Sequence, residues 1–131
     1  MGAACPDESI RWKLQLLKNM GCNAIRTAHN PQVSRFYELC DKMGIIVMDE
    51  VFDGWGRKAV CDYGQQAFDQ WWERDLRACL KRDRNHPSVV IWSIGNETSG
   101  KVAPDLVRVG HEMDPSRLVT SGYSVPAFMD V

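Results

Sequence analysis

No apolar stretch in this chain approaches the roughly 20 consecutive residues that a helix needs to cross a bilayer, so no membrane span is expected. The sequence also lacks a dominant sign of charge. Its 16 lysines and arginines against 17 aspartates and glutamates leave a net charge of −1. That balance provides no general attraction to nucleic acid or to an anionic membrane surface. The N-terminus, Met1-Gly2-Ala3-Ala4-Cys5, has neither a basic region nor a long apolar one and does not read as a signal peptide. The five cysteines, Cys5, Cys22, Cys40, Cys61 and Cys79, form no CxxC pair. An odd count at scattered spacings argues against a disulfide framework and a zinc site, so free or buried thiols are expected. Repeats and low-complexity tracts are missing as well.

What remains is the composition of an ordinary globular domain. Apolar residues make up 44% and charged residues 25% of 131 positions, enough for one domain, residues 1–131, with a real core. Pro6-Asp7-Glu8 reads as a helix start, with acids at the positive end of the dipole. Ile10, Leu14, Leu17 and Gly21 follow at helical spacing, Leu16 and Met20 widening the apolar face. Residues 22–28 read as a strand ending in His29-Asn30-Pro31, a turn signal. A second helix is expected over 33–43, closed by Gly44, and a second strand over 45–48, ending in Asp49-Glu50. The stretch at 51–65 is irregular. A long helix over 65–82 buries Phe68, Trp72, Leu76 and Leu80, with Trp71 and Cys79 beside them. Asn85-His86-Pro87 breaks it, residues 88–94 form a third strand, 103–113 a fourth helix and 117–121 a fourth strand.

Helices alternating with strands imply parallel strands joined by right-handed crossovers. The strands are near-continuous apolar runs, as expected of a sheet covered on both faces. In such sheets, ligands bind beyond the carboxyl ends of the strands. That rule selects one rim: Arg26 and His29, then Asp49, Glu50 and Asp53, then Asn96 and Glu97, then Ser121 and Tyr123. Gly44, Asn85, His86 and Pro87 fall at the opposite, structural end, and His111 is expected to be exposed on its helix.

A carboxyl at the end of an apolar strand is partly desolvated, which favours its neutral form and suits a general acid. Asn96 can hold a sugar hydroxyl or orient that acid. Trp55 and Trp92 can offer flat faces to a sugar ring. Each residue also has a structural alternative. Glu97 can cap a helix or pair with Arg26, Asp49 and Glu50 can serve strand-end backbone or arginines, and the tryptophans can be packing residues. Glu50, Asp53 and His29 have no recognised metal spacing, and no metal is expected. From these residues alone, hydrolases, aldolase-type lyases and binding domains all stay open.

Two long motifs narrow the choice. Asn23-Ala24-Ile25-Arg26-Thr27-Ala28-His29-Asn30-Pro31, and the run from Arg82 through Asn85-His86-Pro87-Ser88 to Ile94-Gly95-Asn96-Glu97, closely resemble motifs of glycoside hydrolase family 2. Leu39-Cys40-Asp41-Lys42-Met43-Gly44, Val47-Met48-Asp49-Glu50 and Asp114-Pro115-Ser116-Arg117 fit the same pattern. The resemblance implies a partial (β/α)8 TIM barrel, with about four parallel strands (strands two to five) and flanking helices, in a fold that takes about 250 residues and eight strands when complete. It implies a retaining two-carboxylate mechanism with Glu97 as general acid/base and no cofactor. Asn96 would contact the sugar 2-hydroxyl, His29 and Arg26 would line the sugar subsite, and Asp53 and Trp55 would be further substrate contacts. Some relatives bind magnesium through a Glu and a His at positions that are Gly54 and Gly56 here, so that site is expected to be absent. The family's nucleophilic glutamate lies on a later strand, outside this sequence. The expectation is a β-galactosidase-like fragment acting on carbohydrate, inactive alone, associating as a homo-oligomer through exposed half-barrel surfaces. A β-glucuronidase or β-mannosidase parent, a non-catalytic carbohydrate-binding remnant, and an independent small α/β protein are the alternatives.

Overall fold

Apolar runs of five residues or fewer, each following a helix with one apolar stripe, fold into a single parallel sheet with helices on one side. A computed structural model describes residues 4–55, 63–96, 101–122 and 129–131. Its elements are α1 (Asp7–Asn19), β1 (Ala24–Arg26), α2 (Ser34–Met43), β2 (Ile46–Glu50), α3 (Tyr63–Gln66), α4 (Phe68–Asp83), β3 (Val89–Ser93), α5 (Ala103–Met113) and β4 (Leu118–Thr120). The strands lie in the order β1-β2-β3-β4, all parallel, as four consecutive staves of a barrel. No described helix is long and apolar enough to cross a membrane.

Period-two alternation, shifted by one residue in β3 at a bulge between the Val47–Val89 and Met48–Ile91 pairs, sorts the strand side chains between two faces. Val47, Val89, Trp92 and Val119 face the helices and pack with Leu14, Leu39, Leu76, Leu80, Leu106 and Val109 in one core. The other face is the inside of the barrel. There Ile46 is 45% and Leu118 47% exposed, so apolar stave surface stands open. β4 does not present a bare edge. The Asp130 backbone N–H donates to the Val119 carbonyl (3.0 Å), and Asp130 Oδ2 accepts from the Val119 N–H (2.7 Å).

The boundaries differ from the sequence expectation in instructive ways. α2 ends where expected because Gly44 adopts φ 67°, a left-handed cap that favours glycine, and its N–H reaches the Cys40 carbonyl. β2 runs on through Asp49 and Glu50 instead of stopping before them. Each carboxylate finds donors on its own face of the sheet, so neither has to leave it. The expected helix over 65–82 is broken at Ala67 (φ −129°, ψ −20°) into α3 and α4. On α1, Ile10 and Leu14 are buried, but Leu16 (41%) and Met20 (76%) are exposed and do not widen the core face. Trp71 is likewise not part of the buried stripe; it is exposed, with the Arg74 guanidinium 3.9 Å above its ring. The four described cysteines, Cys5, Cys22, Cys40 and Cys79, are free, and Cys61 lies outside the described residues.

Candidate active site

β2 delivers the centre of the site. Glu50, its last residue, points to the inner face and is completely buried. Arg26, at the end of β1, grips it with two charge-assisted bonds, Nε to Oε2 at 2.8 Å and Nη2 to Oε1 at 3.0 Å. His29, one turn beyond β1, places Nδ1 2.8 Å from Oε1. Ser93, the last residue of β3, donates its hydroxyl to Oε2 at 2.7 Å. A carboxylate that would be costly to bury alone is thus enclosed by three partners from two neighbouring strands.

The same arginine carries the network to the next strand end. Arg26 Nη2 also donates to Asn96 Oδ1 at 2.9 Å. That bond turns the Asn96 amide nitrogen toward Asp53 Oδ1, 3.4 Å away. Asn96 is itself 8% exposed, and its backbone N–H is tied to the Phe52 carbonyl. Arg26 and His29 keep 37% and 39% of their side chains open, so the cluster has a solvent-facing side. Beside it, a cavity of about 370 Å³ runs between Asn30, Phe52, Asp53, Tyr63 and Cys79.

Four of the residues expected at this rim, Arg26, His29, Asp53 and Asn96, therefore meet in one hydrogen-bonded cluster. Trp55 instead stacks on Phe68 at the start of α4, with ring centroids 4.8 Å apart. Trp92 is no sugar platform; it is 1% exposed, faces the helices, and donates its indole N–H to Asp114 at 3.0 Å. His86 is structural, as expected, with Nδ1 2.6 Å from Asp41. His111 is not fully exposed, since Asp130 covers Nε2 at 3.3 Å. Glu97 and Tyr123 lie outside the described residues.

Two members of the site were not among the catalytic or substrate-binding residues expected from the sequence, although Glu50 stood at the rim as a possible partner for an arginine. Glu50 is its hub, and the signal was present in the Asp49-Glu50 pair one strand away from Arg26. Gly122, just past β4, is the other. A Cβ there would overlap Arg26 Nη2 and lie 2.9 Å from Asn96 Oδ1. Gly122→Ala is expected to break the Arg26–Asn96 bond while costing less than about 1 kcal/mol, because a guanidinium tip can swing aside. A shift of the Asn96 side-chain amide in a nitrogen–proton correlation spectrum, with the urea midpoint nearly unchanged, is the measurement.

Comparisons with known proteins agree with the fold. Residues 1–128 match the family described as "Glycosyl hydrolases family 2, TIM barrel domain". A Formosa agariphila protein provisionally named a β-glucuronidase is 53% identical over 131 residues, which are 100% of this chain and 13% of that protein. The Bacteroides ovatus β-galactosidase BoGH2A is 53% identical over 97 residues, 74% of this chain and 11% of its own length. The crystal structure of a β-glycosidase from Bacteroides vulgatus superposes with a TM-score of 0.93 at 52% identity, covering 98% of this chain and 17% of the other. The chain thus spans a small part of the relatives it matches. The four parallel staves, the polar rim at their carboxyl ends and these matches lead to one assignment: the chain belongs to glycosyl hydrolase family 2, as part of its TIM barrel domain.

Proposed function

We propose that these residues supply the acid/base half of a retaining β-glycosidase site that acts on a β-galactoside-like sugar. The observation that carries the reading is the Arg26–Glu50–Asn96 cluster, because it fixes the residue immediately before Glu97 at the carboxyl end of β3. In this reading Glu97 protonates the departing glycosidic oxygen and then deprotonates the attacking water. Asn96 holds the 2-hydroxyl, a bond that strengthens as positive charge develops on the sugar ring. Arg26 and His29 line the subsite, with Asp53 and Trp55 as outer contacts.

A retaining mechanism needs a second carboxylate about 5–5.5 Å from the first. Neither acid at the end of β2 suits that role. Asp49 faces the helices, and every Glu50 oxygen is already engaged by hydrogen-bond donors. The resemblance to the family implies that the nucleophile lies on a later strand, outside this sequence. The purified 131-residue chain is expected not to hydrolyse nitrophenyl β-galactoside, and turnover that disappears in Glu97→Gln would refute this. Weak binding of galactose, seen as shifts of the Arg26 and Asn96 side-chain resonances and lost in Arg26→Ala, is the positive test. A β-glucuronide parent is the second reading, favoured by the provisional name of the Formosa agariphila relative. Glucuronate shifting the same resonances at lower concentration than galactose would select it.

The open inner face bears on association. Ile46, Val90 and Leu118 are 45%, 40% and 47% exposed on or beside it, an apolar surface that a folded chain tends to cover. The isolated chain is expected to form a homo-oligomer at micromolar concentration, and a monomeric mass by light scattering would count against this.

A further inference from the structure

The site does not use Asp49, yet Asp49 is among the most enclosed groups in the chain. Its carboxyl meets that of Asp83 across the seam between β2 and α4, and both residues are 0% exposed. Asp49 is satisfied on one side only. Oδ1 accepts hydrogen bonds from the Tyr37 hydroxyl at 2.7 Å and the Thr27 hydroxyl at 3.2 Å, while Oδ2 is buried with no donor among the described residues.

The groups facing it can be named element by element. Tyr37 comes from α2; Cys79, Arg82 and Asp83 come from α4; β1 contributes Thr27, and β3 sets Trp92 opposite in register, both uncharged. Ligand atoms of Asp49, Cys79 and Asp83 all lie within 4.8 Å of one another. Arg82 is the cation beside the pair, and it is committed to Asp83, with Nε to Oδ1 at 2.7 Å and Nη2 to Oδ2 at 2.5 Å. Two carboxylates within 4.8 Å of each other in a fully buried seam, with one cation held by one of them, cannot both stay ionised cheaply. A metal ion in their place would have to compete with Arg82 for Asp83 and take the proton from a Cys79 thiol that burial holds neutral.

We propose that Asp49 and Asp83 share one proton, carried on Oδ2 of Asp49 and donated to Asp83, and that this proton latches β2 onto α4. It completes the hydrogen bonding of the orphaned oxygen and removes one of two facing charges. Burial raises the Asp49 carboxyl to about 7, against the opposing bond from Tyr37 and with the help of the Asp83 charge. The latch is linked to the site through Thr27, whose hydroxyl donates to Asp49 and accepts the backbone N–H of Glu50 at 2.8 Å.

The sign of the pH dependence follows from linkage. The folded chain holds a proton that the unfolded chain releases near pH 4. The stability due to the latch is therefore whole below about pH 4, declines as pH rises, and is gone above about pH 7. Asp49→Asn keeps the acceptor for Tyr37 and Thr27 and presents a permanent N–H donor to Asp83. Thermal unfolding of both proteins from pH 5 to pH 8 should show the midpoint difference growing in favour of Asp49→Asn. In the wild type, the Asp49 carboxyl carbon resonance should titrate near pH 7. A difference that stays constant across this range, or an Asp49 carboxyl that titrates near pH 4, overturns the proposal. If Asp49→Asn fails to fold, the carboxyl titration of the wild type decides alone.

Discussion

Glu50→Ala is expected to destabilise the chain by about 2–4 kcal/mol and to release both ends of the rim cluster at once. The estimate follows from what the carboxylate holds. Ser93 is fully buried, so its hydroxyl would lose an acceptor that water cannot replace. Arg26 and His29 are more than a third open and can turn to solvent, which keeps the loss below that of a sealed ion pair. The local effect is larger than the global one. Arg26 would lose both bonds that aim it, and its remaining bond to Asn96 would no longer fix the amide. Glu50→Gln tests the charge separately. It keeps the shape but sets an amide N–H against donors, and about 1–3 kcal/mol should be lost. Urea unfolding of both variants, with Ser93→Ala expected to cost about 1 kcal/mol, measures the stability part. Displacement of the Asn96 side-chain amide signal in a nitrogen–proton correlation spectrum measures the rest. If Glu50→Ala unfolds at the wild-type midpoint, Glu50 is not the hub of the rim.

The cluster also shows what a linear reading reaches and where it stops. The alternation of helices and strands was legible because each element carries its own period and its own stop, and α5 matches its expected span of 103–113. Arg26, His29, Asp53 and Asn96 were legible because parallel strands carry the residues at their carboxyl ends to one rim. The depth of β2 was not, because it depends on remote partners: Tyr37 and Thr27 on one face, Arg26 and Ser93 on the other. Periodicity likewise places Leu16 and Met20 near the apolar face of α1 but cannot say whether anything packs there, and among the described residues they stand open. Trp92 reads as either core or sugar platform from its own strand. Only Asp114, 22 residues later, decides for the core by accepting its indole N–H.

Asp114 carries the second large effect, at the opposite end of the staves. The sequence singled out Asp114-Pro115-Ser116-Arg117 as a motif, and the structure gives its reason. Asp114 Oδ2 accepts from Trp92 Nε1 at 3.0 Å and from Arg117 Nη1 at 2.5 Å, and Oδ1 accepts the Ser116 backbone N–H at 3.0 Å. Arg117 in turn reaches back to the Val89 carbonyl at 2.6 Å, so one carboxylate joins the end of α5 and the turn after it to β3. Asp114 is 5% exposed, and Asp114→Ala would leave a buried indole N–H without its acceptor and a largely buried guanidinium without its counter-charge, held only by the Val89 and His86 carbonyls. A loss of about 3 kcal/mol is expected, with Asp114→Asn losing less because its one carbonyl oxygen still accepts at one of the two positions, although its NH2 faces donors at the other. Acid should mimic the substitution. Burial raises the Asp114 carboxyl, but the bonds from Ser116, Arg117 and Trp92 outweigh it and hold the group down at about 2. Its contribution is thus present above the unfolded value near 4 and is lost as pH falls from there through about 2. Asp114→Ala should therefore show a flatter stability profile than the wild type between pH 4 and pH 2, measured by urea unfolding at each pH. A parallel profile would mean that Asp114 does not carry the acid limb. Asp49 and Asp114 pull in opposite directions, one losing stability as pH rises toward 7 and the other as it falls toward 2.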